Sequence, residues 1–328
     1  MLLCAPNGLS LSKHRDVGAM ANGEVRPLPE RALADYSDFD ARDTVYALDP
    51  FHQPRVTRTR RYTLNEHIVA PMADARTTAA KLSAHFRTAL ADELRSVVVF
   101  GSLPRGEFIP GVSDLNILVL LESLTTPKLV RAAPLLQQWI RQGNTPPCLY
   151  SWAEWAGMQD TFALEIADMN DAREVLWGED PVAVDAVTYA NLRRQTEREI
   201  RDTLLHLRLR LMVATSGPTD VGALLLSGFP SFTAYMRAAL RLAGEQPGLE
   251  TRPVIERAAA LFGADPTPFL TCFDARRTTQ HLAVPLTDPM VDRYMAFVSA
   301  LLQYVDQLPG DQPRSDAYEL SSRGVVSA

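Results

Sequence analysis

The chain has 328 residues, 46% of them hydrophobic, with a formal net charge of −6 and a pI near 5.6. That is length enough for two domains with ordinary globular cores, and the acidic balance argues against duplex nucleic acid as the main partner. Cys4, Cys148 and Cys272 fit neither a disulfide framework nor metal-ligand spacing. No apolar run approaches the roughly 18 residues needed to span a bilayer, so the expected setting is cytoplasmic, without a membrane partner.

Residues 1–68 are rich in Pro, Asp, Arg and Gly and balance nine basic against nine acidic residues. With no sustained period, they read as a flexible N-terminal extension that cannot offset its ordering entropy. Its basic run RVTRTRR (55–61) is expected to be a solvated patch. Lysine occurs only at 13, 81 and 128, an arginine bias that reads as the trace of a GC-rich, bacterial genome.

A helix is predicted over 73–94, where Leu82, Phe86 and Leu90 recur at four-residue spacing. SVVVF (96–100) is a β-branched run suited to a strand buried on both faces, and DLNILVLL (114–121) is a second strand. TPKLVRAAPLLQQWIRQ (126–142) opens as a helix with Thr-Pro. A strand at 147–151, a helical turn at Trp152 to Trp155 and a strand TFALEIADM (161–169) follow. This order predicts an α/β (α+β) domain with one mixed sheet over 69–180.

Gly178 and Pro181 then mark a linker. Amphipathic stretches around 187–214, 230–244, 252–263 and 288–308 predict an all-α helical bundle over 181–310. Thirteen arginines face thirteen acids between 185 and 310, so the bundle advertises no strongly charged ligand. Residues 311–328 read as a flexible tail.

The chemistry concentrates in FGSLPRGEFIPGVSDLNILVL (100–120). Gly101, directly after a buried strand, lets the backbone turn sharply and a ligand approach it. Ser102 adds a hydroxyl, and the turn exposes N–H groups suited to phosphate. Arg105 is placed to neutralise phosphate charge. Asp114, at the start of the next strand, would hold Mg²⁺ beside those phosphates. Strand periodicity puts Asn116 on the same face as Asp114. Glu165 interrupts an otherwise apolar segment and is the natural further acid.

The stretch resembles the signature of the polymerase-beta-like nucleotidyltransferase superfamily: an apolar residue, Gly, Gly or Ser, a spacer, then Asp, apolar, acid, apolar. Phe100, Gly101 and Ser102 carry its first part, and residues 103–113 form the spacer. Asp114, Leu115, Asn116 and Ile117 carry the second part. The resemblance covers roughly 72–180, and the remainder is similar to the helical bundle of bacterial members such as antibiotic nucleotidyltransferases. It implies nucleotide binding at Gly101, Ser102, Arg105 and Ser113, magnesium held at Asp114, Asn116 and Glu165, and catalysis by Asp114 and Glu165. The implied reaction is Mg²⁺-dependent transfer of a nucleotidyl group from a nucleoside triphosphate, ATP foremost, to a hydroxyl of a small molecule or protein, releasing pyrophosphate. Glu165 would also help to activate the acceptor.

One position departs from the pattern. Asn116 stands where the superfamily has a second metal-binding carboxylate, and an amide brings a neutral oxygen. The alternative is therefore a catalytically impaired nucleotide-binding or regulatory protein on the same fold. Glu107 either supplies the missing charge or is a solvent-facing or helix-end contact. Asp168, three residues after Glu165, is expected on the opposite face of that strand, as a helix cap. The six histidines share no zinc spacing, and neither a Walker P-loop nor a strand-linked Gly-x-Gly-x-x-Gly occurs.

Overall fold

The computed structural model describes residues 18–21, 24–27, 72–182, 187–214 and 218–310. The chain forms two compact units, Met1–His67 and Ile68–Ala328. Within the first, β1 (Gly18–Ala21) and β2 (Glu24–Pro27) pair as an antiparallel hairpin with Met20 opposite Val25. No strand period in the sequence announces it. The remaining expectations for 1–68, and those for 311–328, fall outside the described residues.

The second unit opens with α1 (Met72–Leu90) and a 3-10 turn at Ala91–Glu93. Then come β3 (Leu94–Phe100), β4 (Asn116–Leu121), α2 (Thr126–Arg141) and β5 (Cys148–Ser151). α3 (Trp152–Gly157) is opened by a capping box in which Ser151 and Glu154 satisfy each other's backbone N–H. α4 (Ala163–Asp171) and β6 (Arg173–Gly178) complete this part. The sheet runs β5-β4-β3-β6; β3 is antiparallel to both neighbours and β4 is parallel to β5. It is thus a mixed sheet, as the sequence predicts.

Alternation in β4 sorts its two faces. Leu115, Ile117, Val119 and Leu121 join Leu82, Phe86 and Leu90 of α1 and Trp139 of α2 in one apolar cluster. Leu118 and Leu120 are also fully buried on the other face, which explains why the run is continuously apolar.

Two elements differ from the sequence expectation. Residues 161–169 are not a strand: α4 occupies Ala163–Asp171, and its Ala163, Leu164 and Ala167 pack into the core of the helical part. Leu164, Ala167 and Asp171 recur at helical spacing, a period that nine residues leave ambiguous. The other strand that pairs with β3 is β6, in a stretch expected to be a helix running into the linker. Its Gly178 has φ +81, and a β-carbon there would lie 2.0 Å from the Arg95 carbonyl oxygen. Gly178→Ala is therefore expected to cost at least about 2 kcal/mol, from left-handed strain and backbone overlap. Chemical denaturation checks this, and an unchanged midpoint would refute it.

The helical part comprises α5 (Tyr189–Val213), α6 (Pro218–Leu242), α7 (Thr251–Phe262), α8 (Thr267–Arg277) and α9 (Pro289–Gln307). α6 runs through Pro230, where the sequence pattern was expected only to begin a helix. Proline has no N–H for the Leu226 carbonyl, and Arg276 of α8 supplies the missing donor at 3.2 Å. The centre is aromatic: Phe269 stacks on Tyr294 at 4.3 Å, while Phe232 meets both rings edge-on. α8, which carries Phe269, is too short and weakly periodic to be recognised in the sequence. Among the described residues no helix is long and apolar enough to cross a membrane.

Candidate functional site

The register of β3 against β4 assembles the site. Phe100 pairs with Asn116, so the turn leaving β3 and the segment entering β4 meet at one end of the sheet. Gly101 adopts φ +84, which favours glycine, and a β-carbon there would lie 2.9 Å from Asn116 Nδ2. The amide side chain of Asn116 thus rests against the turn. Gly101 N–H donates to the Ala172 carbonyl just beyond α4 at 3.1 Å. The turn then closes on itself: Arg105 N–H donates to Gly101 O at 3.2 Å and Glu107 N–H to Ser102 O at 2.9 Å.

Asp114 is exposed and precedes β4, which begins at Asn116 and not at Asp114 as expected. The in-out alternation still extends back to it, since Leu115 between them is buried. Ser102 is half-buried. Ser113 uses its hydroxyl to accept the Ile109 N–H at 3.0 Å, and its own N–H returns to Ile109 O at 2.8 Å. Its place is in closing the loop.

Glu165 lies on a helix, which corrects its expected place on a strand. Its Oε2 accepts from Gln195 Nε2 of α5 at 2.6 Å, and Gln195 Oε1 accepts the Leu164 N–H at 2.8 Å. Asp168 is likewise corrected: one helical turn after Glu165, it shares that face of α4. There it meets Arg105, whose side chain is 6% exposed and is turned inward. Arg105 Nη2 donates to Asp168 O at 3.0 Å and lies 2.8 Å from Asp168 Oδ1 as an ion pair.

Sequence reasoning missed the partners of this pair. Arg241 of α6 is 2% exposed; it binds Asp171 and lies 4.0 Å from Asp168 Oδ1. Arg237, one turn earlier, donates from Nη2 to Thr251 Oγ1 at 2.9 Å and to Leu249 O at 3.3 Å. Burial, reinforced by Arg105, pushes the Arg237 guanidinium down to about 10. Burial alone would raise the Asp168 carboxyl, but Arg105, then Arg237 and Arg241, hold it below the usual carboxylate range. Arg105 Nε, Arg237 Nε, and Arg241 Nε and Nη1 are buried and make no hydrogen bond. The network is therefore tightly paired in charge but not fully satisfied in donors. The one available signal was the i, i+4 spacing of two arginines in a helix whose one other charged residue is Asp220 in its first turn.

Glu107 makes a helix-end contact. Its Oε1 accepts the Thr251 N–H at 2.8 Å and its Oε2 accepts the Thr251 hydroxyl at 2.5 Å, at the first residue of α7.

Among the described residues, no group of three His, Cys, Asp or Glu side chains is placed to share a cation. One exposed carboxylate, Asp114, with one neighbouring amide oxygen suits a magnesium ion that arrives on phosphates and needs one or two protein carboxylates. The same donors do not suit a pair of cations. β5, which runs beside β4, adds no acid between Cys148 and Ser151.

No family model matches the sequence, and no curated protein does. Among solved structures, the chain is similar to spectinomycin adenyltransferase AAD(9) from Enterococcus faecialis, a structure with ATP and spectinomycin. The likeness has 12% identity and a TM-score of 0.44, over 72% of this chain and 99% of that one.

Proposed function

We propose that this protein transfers a nucleotidyl group from a nucleoside triphosphate, ATP foremost, to a hydroxyl of a small-molecule or protein acceptor. The carrying observation is the pairing of Phe100 with Asn116, which sets the Gly101–Ser102 turn and the exposed Asp114 at one end of a buried sheet. In this reading the acceptor hydroxyl gives its proton to the Glu165 carboxylate as its oxygen attacks the α-phosphorus. The bond from that phosphorus to the oxygen bridging to the β-phosphate breaks, and pyrophosphate leaves. Gly101 gives the phosphates close access to backbone, and the Ser102 hydroxyl and N–H orient them. A magnesium ion, held by Asp114 with Asn116, would offset phosphate charge. Glu165 is the acid proposed for the acceptor side, carried on the helix that ends against the Gly101 turn. The helical part is proposed to shape the acceptor pocket, with the division near residue 180.

A second reading is favoured by Asn116 itself: the turn binds a nucleotide that is not turned over. Calorimetric titration of the full chain with Mg²⁺ and a non-hydrolysable ATP analogue tests the shared premise, and binding is expected. No binding would sink both readings. Binding accompanied by transfer of label from α-phosphate-labelled ATP to hydroxyl-bearing small molecules or to protein supports the enzyme. Binding without transfer supports the second reading.

A further inference from the structure

The loop that carries Gly101 and Ser102 is held from outside. Glu107 reaches across 144 residues of sequence and places both carboxylate oxygens on Thr251. Thr251 is the first residue of α7, whose N-cap residue Glu250 makes no side-chain cap bond. A carboxylate at this position satisfies a first-turn N–H that the helix cannot, and it complements the positive end of the helix dipole. The Thr251 hydroxyl is used twice, donating to Glu107 and accepting from the buried Arg237. On the other side of the turn, Arg105 is paired with Asp168 of α4. The loop is thus gripped at two residues, two positions apart, by two different helices.

We infer that Glu107 is a positioning residue, and that its contact with Thr251 couples the nucleotide-binding turn to the helical part. Glu107 N–H closes the turn on Ser102 O at 2.9 Å, so the position of its carboxylate is transmitted to Ser102 through one hydrogen bond. A shift of the α7 N-terminus, such as an acceptor seated among the helices would produce, moves the turn with it. This inference rests on the nucleotide reading for its ligand, but the mechanical link does not.

The test uses the full-length chain as wild type, Glu107→Ala, Thr251→Val and Thr251→Ser. Thr251→Val keeps the backbone bond to Glu107 and the volume of the side chain while removing the hydroxyl. Two quantities are read: amide hydrogen exchange over residues 102–113, and affinity for a non-hydrolysable ATP analogue with Mg²⁺. Glu107→Ala and Thr251→Val are each expected to speed exchange in the loop and weaken nucleotide binding about tenfold, within the usual range of coupling between sites. Thr251→Ser is expected to restore both. Loop exchange in Thr251→Val identical to wild type overturns the inference, as does nucleotide affinity unchanged in Glu107→Ala. Should the wild type bind no nucleotide, the nucleotide reading fails, and loop exchange in the Thr251 variants still decides the coupling.

Discussion

Arg241→Ala is expected to lower the unfolding free energy by about 3–5 kcal/mol, the cost of breaking a buried ion pair from one side. Arg241 is 2% exposed and binds Asp171, with Asp168 at 4.0 Å. Removing it takes from Asp171 its ion-pair partner and from Asp168 one of the three cations that surround it. The loss is read from urea denaturation at unchanged slope, and a loss under about 1 kcal/mol would mean that the site rehydrates freely. Acid gives an independent readout. The Asp168 carboxyl lies lower in the folded chain than its ordinary value of 3.8. Its contribution is therefore complete above that range and is lost as pH falls through it towards the folded value. In Arg241→Ala one of the cations that depress it is gone, so the acid-dependent loss from Asp168 is expected to be smaller and to be complete at a higher pH than in wild type.

Asp114→Ala is expected to reduce nucleotidyl transfer by about 100-fold or more, the scale of one removed contact to developing charge. Asp114 is exposed and lies outside β4, so its loss leaves the midpoint of unfolding within a degree or so of wild type. Asn116→Asp is the informative companion. It replaces an amide by a carboxylate of the same shape beside Gly101, and it is expected to strengthen Mg²⁺-dependent nucleotide binding. If the wild type binds without transfer and Asn116→Asp transfers label, Asn116 is what silenced the site. Equal transfer in Asp114→Ala and wild type would remove Asp114 from the chemistry.

The segments legible in the sequence were those whose burial repeats a simple period. Leu82, Phe86 and Leu90 on α1 and the β-branched run of β3 announce themselves because each buries one kind of face over enough residues. The Gly101–Ser102 turn was legible for a backbone reason: glycine at φ +84 after a buried strand serves few other purposes. Residues 161–178 were not legible. TFALEIADM is short enough for apolar runs of helix and strand to look alike, and β6 exposes much of its length as a sheet edge.

The sequence by itself determined the local elements that bury their own periodic faces, the glycine turn, and the order in which Ser102, Asp114 and Asn116 follow it. Those are properties of neighbouring residues, set by sterics and by the two side-chain periods. Only the tertiary structure decided where the charges went. Arg105, expected beside phosphate, was paired with Asp168, Glu107 became the cap of a helix 144 residues away, and Glu165 met Gln195. A buried charge takes the counter-charge or donor that the fold brings to it, because leaving it unpaired costs several kcal/mol. That choice depends on distances between elements remote in the chain, which residue spacing does not encode.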